Sequence, residues 1–173
     1  MSSTRRRLLA TVGTGALAVT AGCTAALARV RGCPRPAESL EYEYRVEGDA
    51  DTLGSGYRPA LALFTNAEEA SERRSTELSN AGNKFVVRTD FDEQCLLVAQ
   101  VIGSGSSSGL HVTGVETIDD GLRSYSCVTR PSRHDDAFLY TFLIRVDPGD
   151  DDQIVAEHVH RGGNSDHDLR TDR

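Results

Sequence analysis

Tryptophan is absent, the single methionine is Met1, and Lys84 is the only lysine beside eighteen arginines. With no tryptophan and aromatics at 6%, the chain lacks the ring surface of a carbohydrate-stacking platform. Positive charge is also scarce: 26 Asp and Glu give a formal charge of −7, which argues against a nucleic-acid partner. No CxxC or Cys/His spacing of the zinc type occurs, so a structural zinc site has no support. No Gly-x-Ser-x-Gly elbow stands between a strand and a helix, which removes the usual serine-hydrolase signature. Internal repeats are missing as well. An acidic surface poor in lysine suits a protein kept soluble at high salt, where screening removes most self-repulsion. GC-rich coding also favours arginine over lysine.

What is present begins at the N-terminus. Arg5, Arg6 and Arg7 form a cationic start, followed by thirteen uncharged residues from Leu8 to Thr20 and then Ala21-Gly22-Cys23. That length fits a secretory h-region and falls short of a comfortable membrane span. The pair Arg5-Arg6, followed by Arg7 and the apolar Leu8-Leu9, resembles the twin-arginine signals of surface lipoproteins in salt-loving archaea. The resemblance implies export and lipidation of Cys23, with residues 1–22 removed as a signal peptide. A retained signal anchor is the alternative, because the uncharged stretch continues to about Ala28, twenty-one residues in all. Either way the domain lies outside the cytoplasm, held to the membrane by a lipid or by an N-terminal span. Loss of the three leader arginines takes the formal charge to −10.

Residues 23–38 read as a tether whose Pro34 and Pro36 prevent regular structure. Cys33 sits in that tether. Cys95 and Cys127 fall in expected strands, and in an oxidising compartment a Cys95–Cys127 disulfide is the natural reading. Two buried thiols acting as small apolar residues are the alternative.

Residues 39–161 carry the pattern of one β-rich domain. Leu40 to Glu47 alternates apolar and charged residues, as a strand with one wet face does. Tyr57 to Phe64 is a second extended run. Asn66 is placed to cap a helix through about Leu78, lying on a sheet edge, with Glu68, Glu69 and Glu72 near its positive end. Strands are then expected at Phe85–Arg88, at Cys95–Ile102 (apolar enough for burial on both faces), and at Leu110–Ile118. Asp119-Asp120-Gly121 signals a hairpin into Leu122–Thr129. Ala137–Val146 and Gln153–His160 follow, and residues 162–173 read as a disordered polar tail. The sum is a mainly β fold: an antiparallel β-sandwich or open barrel of about seven short strands with one peripheral helix.

Thr89-Asp90-Phe91-Asp92, the apolar strand after it, its Ser/Gly turn and the Val112-to-Glu116 strand resemble the C-terminal domain of the protease-complex subunit PrcB. The likeness covers roughly residues 58–160. It implies an all-β accessory module without catalysis of its own, and no site residues carry over.

Four clusters bear on chemistry. His158 and His160 share one side of a strand, and with His167 could hold one zinc or copper ion; a solvated terminal strand is the plainer account. Asp147, Asp150, Asp151 and Asp152 lack the alternation of a calcium loop and read as an acidic turn. Ser104, Ser106, Ser107 and Ser108 with His111 or His134 would be the nucleophile and base of a hydrolase, but Gly and Ser are also what a loose turn requires. Residues 130–136 form a charged loop that could face a partner. The expectation is a non-enzymatic, cofactor-free binding or accessory domain at the cell surface with a protein partner. The alternative is a metal-binding protein or metal-dependent enzyme using the His158/His160 cluster.

Overall fold

A computed structural model describes residues 33–72, 77–104, 109–129, 137–149, 155–162 and 166–171. The leader, with Arg5, Arg6 and Cys23, lies outside them. So do the serines at 106–108, His134, and the aspartates at 150–152.

The described residues form two four-stranded sheets with two short helices. The first sheet has β1 (Tyr42–Gly48), β6 (Ala137–Val146), β3 (Cys95–Ser104) and β2 (Ala60–Phe64) in that order, each pair antiparallel. The second has β4 (Leu110–Ile118), β5 (Gly121–Val128), β7 (Val155–Arg161) and β8 (His167–Thr171). Within it β5 and β7 run parallel and the other pairs antiparallel. The sandwich alternative of the sequence reading is therefore the fold, with a mixed second sheet.

The period-2 pattern explains the layering. Leu97, Ala99 and Val101 of β3 and Tyr140, Phe142, Ile144 and Val146 of β6 face the second sheet, meeting Val112, Val115, Leu122 and Ala156. The intervening residues Leu96, Val98 and Leu143 point the other way and are covered by a helical layer. Burial on both faces is what the near-continuous apolar run of β3 requires.

Helix α1 (Ala67–Glu72) starts where Asn66 Oδ1 accepts the Glu69 amide at 2.8 Å. Helix α2 (Asn80–Val87) starts at Ser79, whose hydroxyl accepts from the Gly82 amide at 3.0 Å. Ala70, Leu78 and Val86 cover the outer face of the first sheet, so the helical layer lies on a face and not on an edge. Phe85–Arg88, expected as a strand, belongs to the end of α2. The β-branched pair Val86-Val87 favours a strand locally, but the Ser79 cap and the packing of Val86 on the sheet outweigh that preference.

Residues 167–171 correct the expected disordered tail. β8 pairs with β7, and its polar residues are held from outside: Arg170 bridges Glu157 at 2.7 Å and Asp120 at 2.9 Å, and Asp168 meets Arg161 at 2.6 Å. Parallel pairing of β5 with β7 fixes another residue. A Cβ on Gly121 would lie 1.9 Å from the Val155 carbonyl oxygen, so only glycine admits this approach.

The cysteine pairing also differs from expectation. Cys127 is bonded to Cys33, and Cys95 is a buried free thiol. Cys127 shares the parity of Arg123 and Tyr125 on the outer face of its sheet, whereas Cys95 points into the space between the sheets. A Cys95–Cys127 bridge would require one of those strands to turn over. Burial pushes the Cys95 thiol up to about 12, which leaves it an unreactive core residue.

Candidate functional site

His158 and His160 lie on the inner face of β7, both fully buried, not on a solvated strand. Parallel register sets Ser124 of β5 beside His158 and Ser126 beside His160. The four side chains form one chain of hydrogen bonds. Ser124 Oγ is 2.7 Å from His158 Nδ1, Ser126 Oγ is 2.9 Å from His158 Nε2, and the same oxygen is 2.7 Å from His160 Nδ1. Ser124 also donates to the Glu157 carbonyl at 3.3 Å. With that donation the directions are fixed along the row: His158 Nδ1–H donates to Ser124, Ser126 donates to His158 Nε2, and His160 Nδ1–H donates to Ser126. The row ends at His160 Nε2, which is buried and has no hydrogen-bond partner.

Phe142 packs against both imidazoles, with ring centroids 5.6 and 6.0 Å away, and His167 stacks on His160 at 6.1 Å. This low-dielectric setting holds both buried rings neutral. Burial first, then the neighbouring His160 and His167, lower His158 to about 3. Burial and His167 lower His160 to about 4.

The three histidines anticipated as metal ligands do come together, but their nitrogens do not converge. Both nitrogens of His158 are engaged by serines, and His167 Nε2 is 3.2 Å from the Ile102 carbonyl oxygen. No group of three or more His, Cys, Asp or Glu among the described residues is placed to hold a metal ion. What the described residues form here is an internal polar row of serines and histidines. Sequence reading missed its serines, although Ser124-x-Ser126 repeats the alternation of His158-x-His160 and parallel pairing was the link needed to join them.

Ser126 supports two imidazoles with one hydroxyl. Ser126→Ala should therefore lower stability by about 2 kcal/mol, because it leaves His158 Nε2 and His160 Nδ1 buried without partners. An unchanged denaturant midpoint would remove the row from the account of stability.

The remaining expectations separate. His111 lies on β4, its Nδ1 3.3 Å from the Tyr44 hydroxyl, so it is tied to β1. Asp147 Oδ1 accepts the Gly149 amide at 2.8 Å, the local bond of an acidic turn. The loop between β1 and β2 is ordered around Asp51. Asp51 Oδ1 accepts from the Ser55 amide, and its Oδ2 from Gly56 and Tyr57, with Gln100 Nε2 adding a fourth donor. Burial alone would raise the Asp51 carboxyl, but these donors outweigh it and hold it below the ordinary carboxylate value. The loop caps the buried Gln100 and Thr141, and its own groups together with Gln100 fill the carboxylate.

No family model, curated protein or solved structure matches this chain. Function is therefore argued from its own residues.

Proposed function

We propose that this is an exported cell-surface protein, lipid-anchored at Cys23, whose β-sandwich binds a protein partner as an accessory module and performs no chemistry of its own. The leader carries the reading: Arg5-Arg6, thirteen uncharged residues and Ala21-Gly22-Cys23 in sequence. Two features of the folded part support it. A disulfide joining Cys33 to Cys127 belongs in an oxidising compartment. Among the described residues, the serine–histidine row has the elements of a nucleophile and base, and all four of its side chains are fully buried between the sheets. The resemblance to PrcB-type modules points to the same accessory role.

Membrane fractionation tests the anchor. The intact chain should sediment with the envelope, and Cys23→Ser should move most of it to the soluble fraction. Retention of Cys23→Ser in the membrane would sink lipid anchoring and favour the uncleaved span. Pull-down of the intact protein from its own envelope should recover a companion in near-equal amount, and recovery of the protein alone would count against the accessory role.

A further inference from the structure

The segment joining the leader to the sandwich is fastened along the open edge of β4. Cys33 is bonded to Cys127 on the neighbouring strand. The Thr113 hydroxyl donates to the Pro34 carbonyl. Leu40 N donates to Val115 O at 2.8 Å, and Val115 N donates to Ser39 Oγ at 3.2 Å. Between these points Pro36 lies over Gly114, where a Cβ would come 2.3 Å from the Pro36 Cδ. The register of β4 against β5 shifts between Val112 and Gly114, so the strand bulges where the segment crosses it. β4 is the edge strand of its sheet, and the strap bonds both backbone groups that Val115 presents on that edge.

We infer that Cys33–Cys127 is a redox-operated clasp on this strap and sets how far the domain reaches from the membrane. The reach rests on the anchoring proposed above; the clasp itself does not. With the clasp closed, Cys33 stands ten residue steps from Cys23, at most about 35 Å of extended chain. With the strap released as far as Tyr42, where β1 begins, nineteen residues span at most about 65 Å. The clasp therefore nearly doubles the available reach, and its opening bares the β4 edge.

Chemistry and access favour a dithiol as the reagent. Cys33 is half-buried while Cys127 is fully buried, so an incoming thiolate meets the Cys33 sulfur. The new bond joins the reagent to Cys33, the Cys33–Cys127 bond breaks, and Cys127 leaves as a thiolate that takes up a proton. The second thiol of the reagent then displaces Cys33, so the reagent is oxidised to its disulfide and the protein holds two thiols. Apart from the disulfide, the strap is held by a handful of hydrogen bonds, the Pro36 contact and Leu40 packed at the margin of the core. The sheets below it are held by the whole core, so opening is expected to be local.

The test is amide hydrogen exchange on the full-length protein in its membrane, before and after dithiothreitol. The amides of Leu40 and Val115 should fall to within about tenfold of an unprotected chain on reduction, while Val98 and Leu143 remain strongly protected. Gly114→Ala should loosen the same two amides with the disulfide intact, because it displaces Pro36. Unchanged protection of Leu40 and Val115 after full reduction would overturn the clasp. Loss that only parallels loss at Val98 and Leu143 would overturn it equally, since the disulfide would then be a staple for the whole domain. Reach is read separately by energy transfer from a dye on Lys84, the sole lysine, to labelled lipid. Transfer should drop on reduction. Absence of transfer in both states would overturn the anchoring and the reach together, and the exchange result identifies which part has failed.

Discussion

Acidification from about pH 7.5 to about pH 5 is expected to remove roughly 4 kcal/mol of folding stability, most of it through His158 and His160. In the unfolded chain both imidazoles titrate near 6.5, whereas in the sandwich they are held down to about 3 and about 4. A folded value below the unfolded one means that the unfolded state binds protons first as pH falls. The stabilisation is therefore complete above the unfolded value and drains away below it, by about 1.4 kcal/mol per pH unit for each ring. It continues to drain until the folded values themselves are reached. Because the rings are enclosed by Phe142 and the facing sheet, added salt should not restore what surface screening would. Denaturant midpoints measured at several pH values provide the check. A double variant His158→Leu/His160→Leu should flatten the profile, whatever it does to stability at neutral pH. An equally steep profile in that variant would transfer the effect to the carboxylates.

The legible and illegible parts of this chain divide along one physical line. Leu110–Ile118 and Ala137–Val146 were readable to the residue because their alternation is local and their burial one-sided or complete. The Asn66 cap was readable for the same reason, being a bond between near neighbours in sequence. What stayed hidden depends on partners far along the chain. Phe85–Arg88 looks extended until the outer face of the first sheet is there to receive Val86. His167 to Thr171 looks like a solvated tail until Glu157 and Asp120 are in place for Arg170. The histidine row needed the parallel β5–β7 register, which no hairpin rule supplies, since the hairpin signal at Asp119-Gly121 speaks only for β4 and β5. Cysteine pairing failed for a related reason. Cys95 and Cys127 both lie in strands, but on opposite faces of their sheets, and Cys33 in an irregular segment reaches the one that faces outward.

Replacing Cys33 by serine should cost about 3 kcal/mol, the second large effect expected of this domain. The bridge closes a loop with a sequence separation of 94 and so removes many conformations from the unfolded chain. Chain-entropy reasoning for a loop of that size gives a figure nearer 5 kcal/mol, but retained structure in the unfolded state usually lowers it. Native contacts contribute a smaller part, because the Thr113, Ser39 and Leu40 bonds of the strap weaken once its end is free. Cys127→Ser should match Cys33→Ser closely, since each breaks the same bond. Cys95→Ser should act by a different route, placing a hydroxyl in the apolar space between the sheets without opening any loop. The discriminating measurement is the effect of a reductant on each. Dithiothreitol should lower the stability of the parent chain and of Cys95→Ser, and leave Cys33→Ser and Cys127→Ser where they are. A parent chain indifferent to a reductant that has opened its disulfide would show that the bridge stabilises nothing, and that the sandwich is held by its core alone.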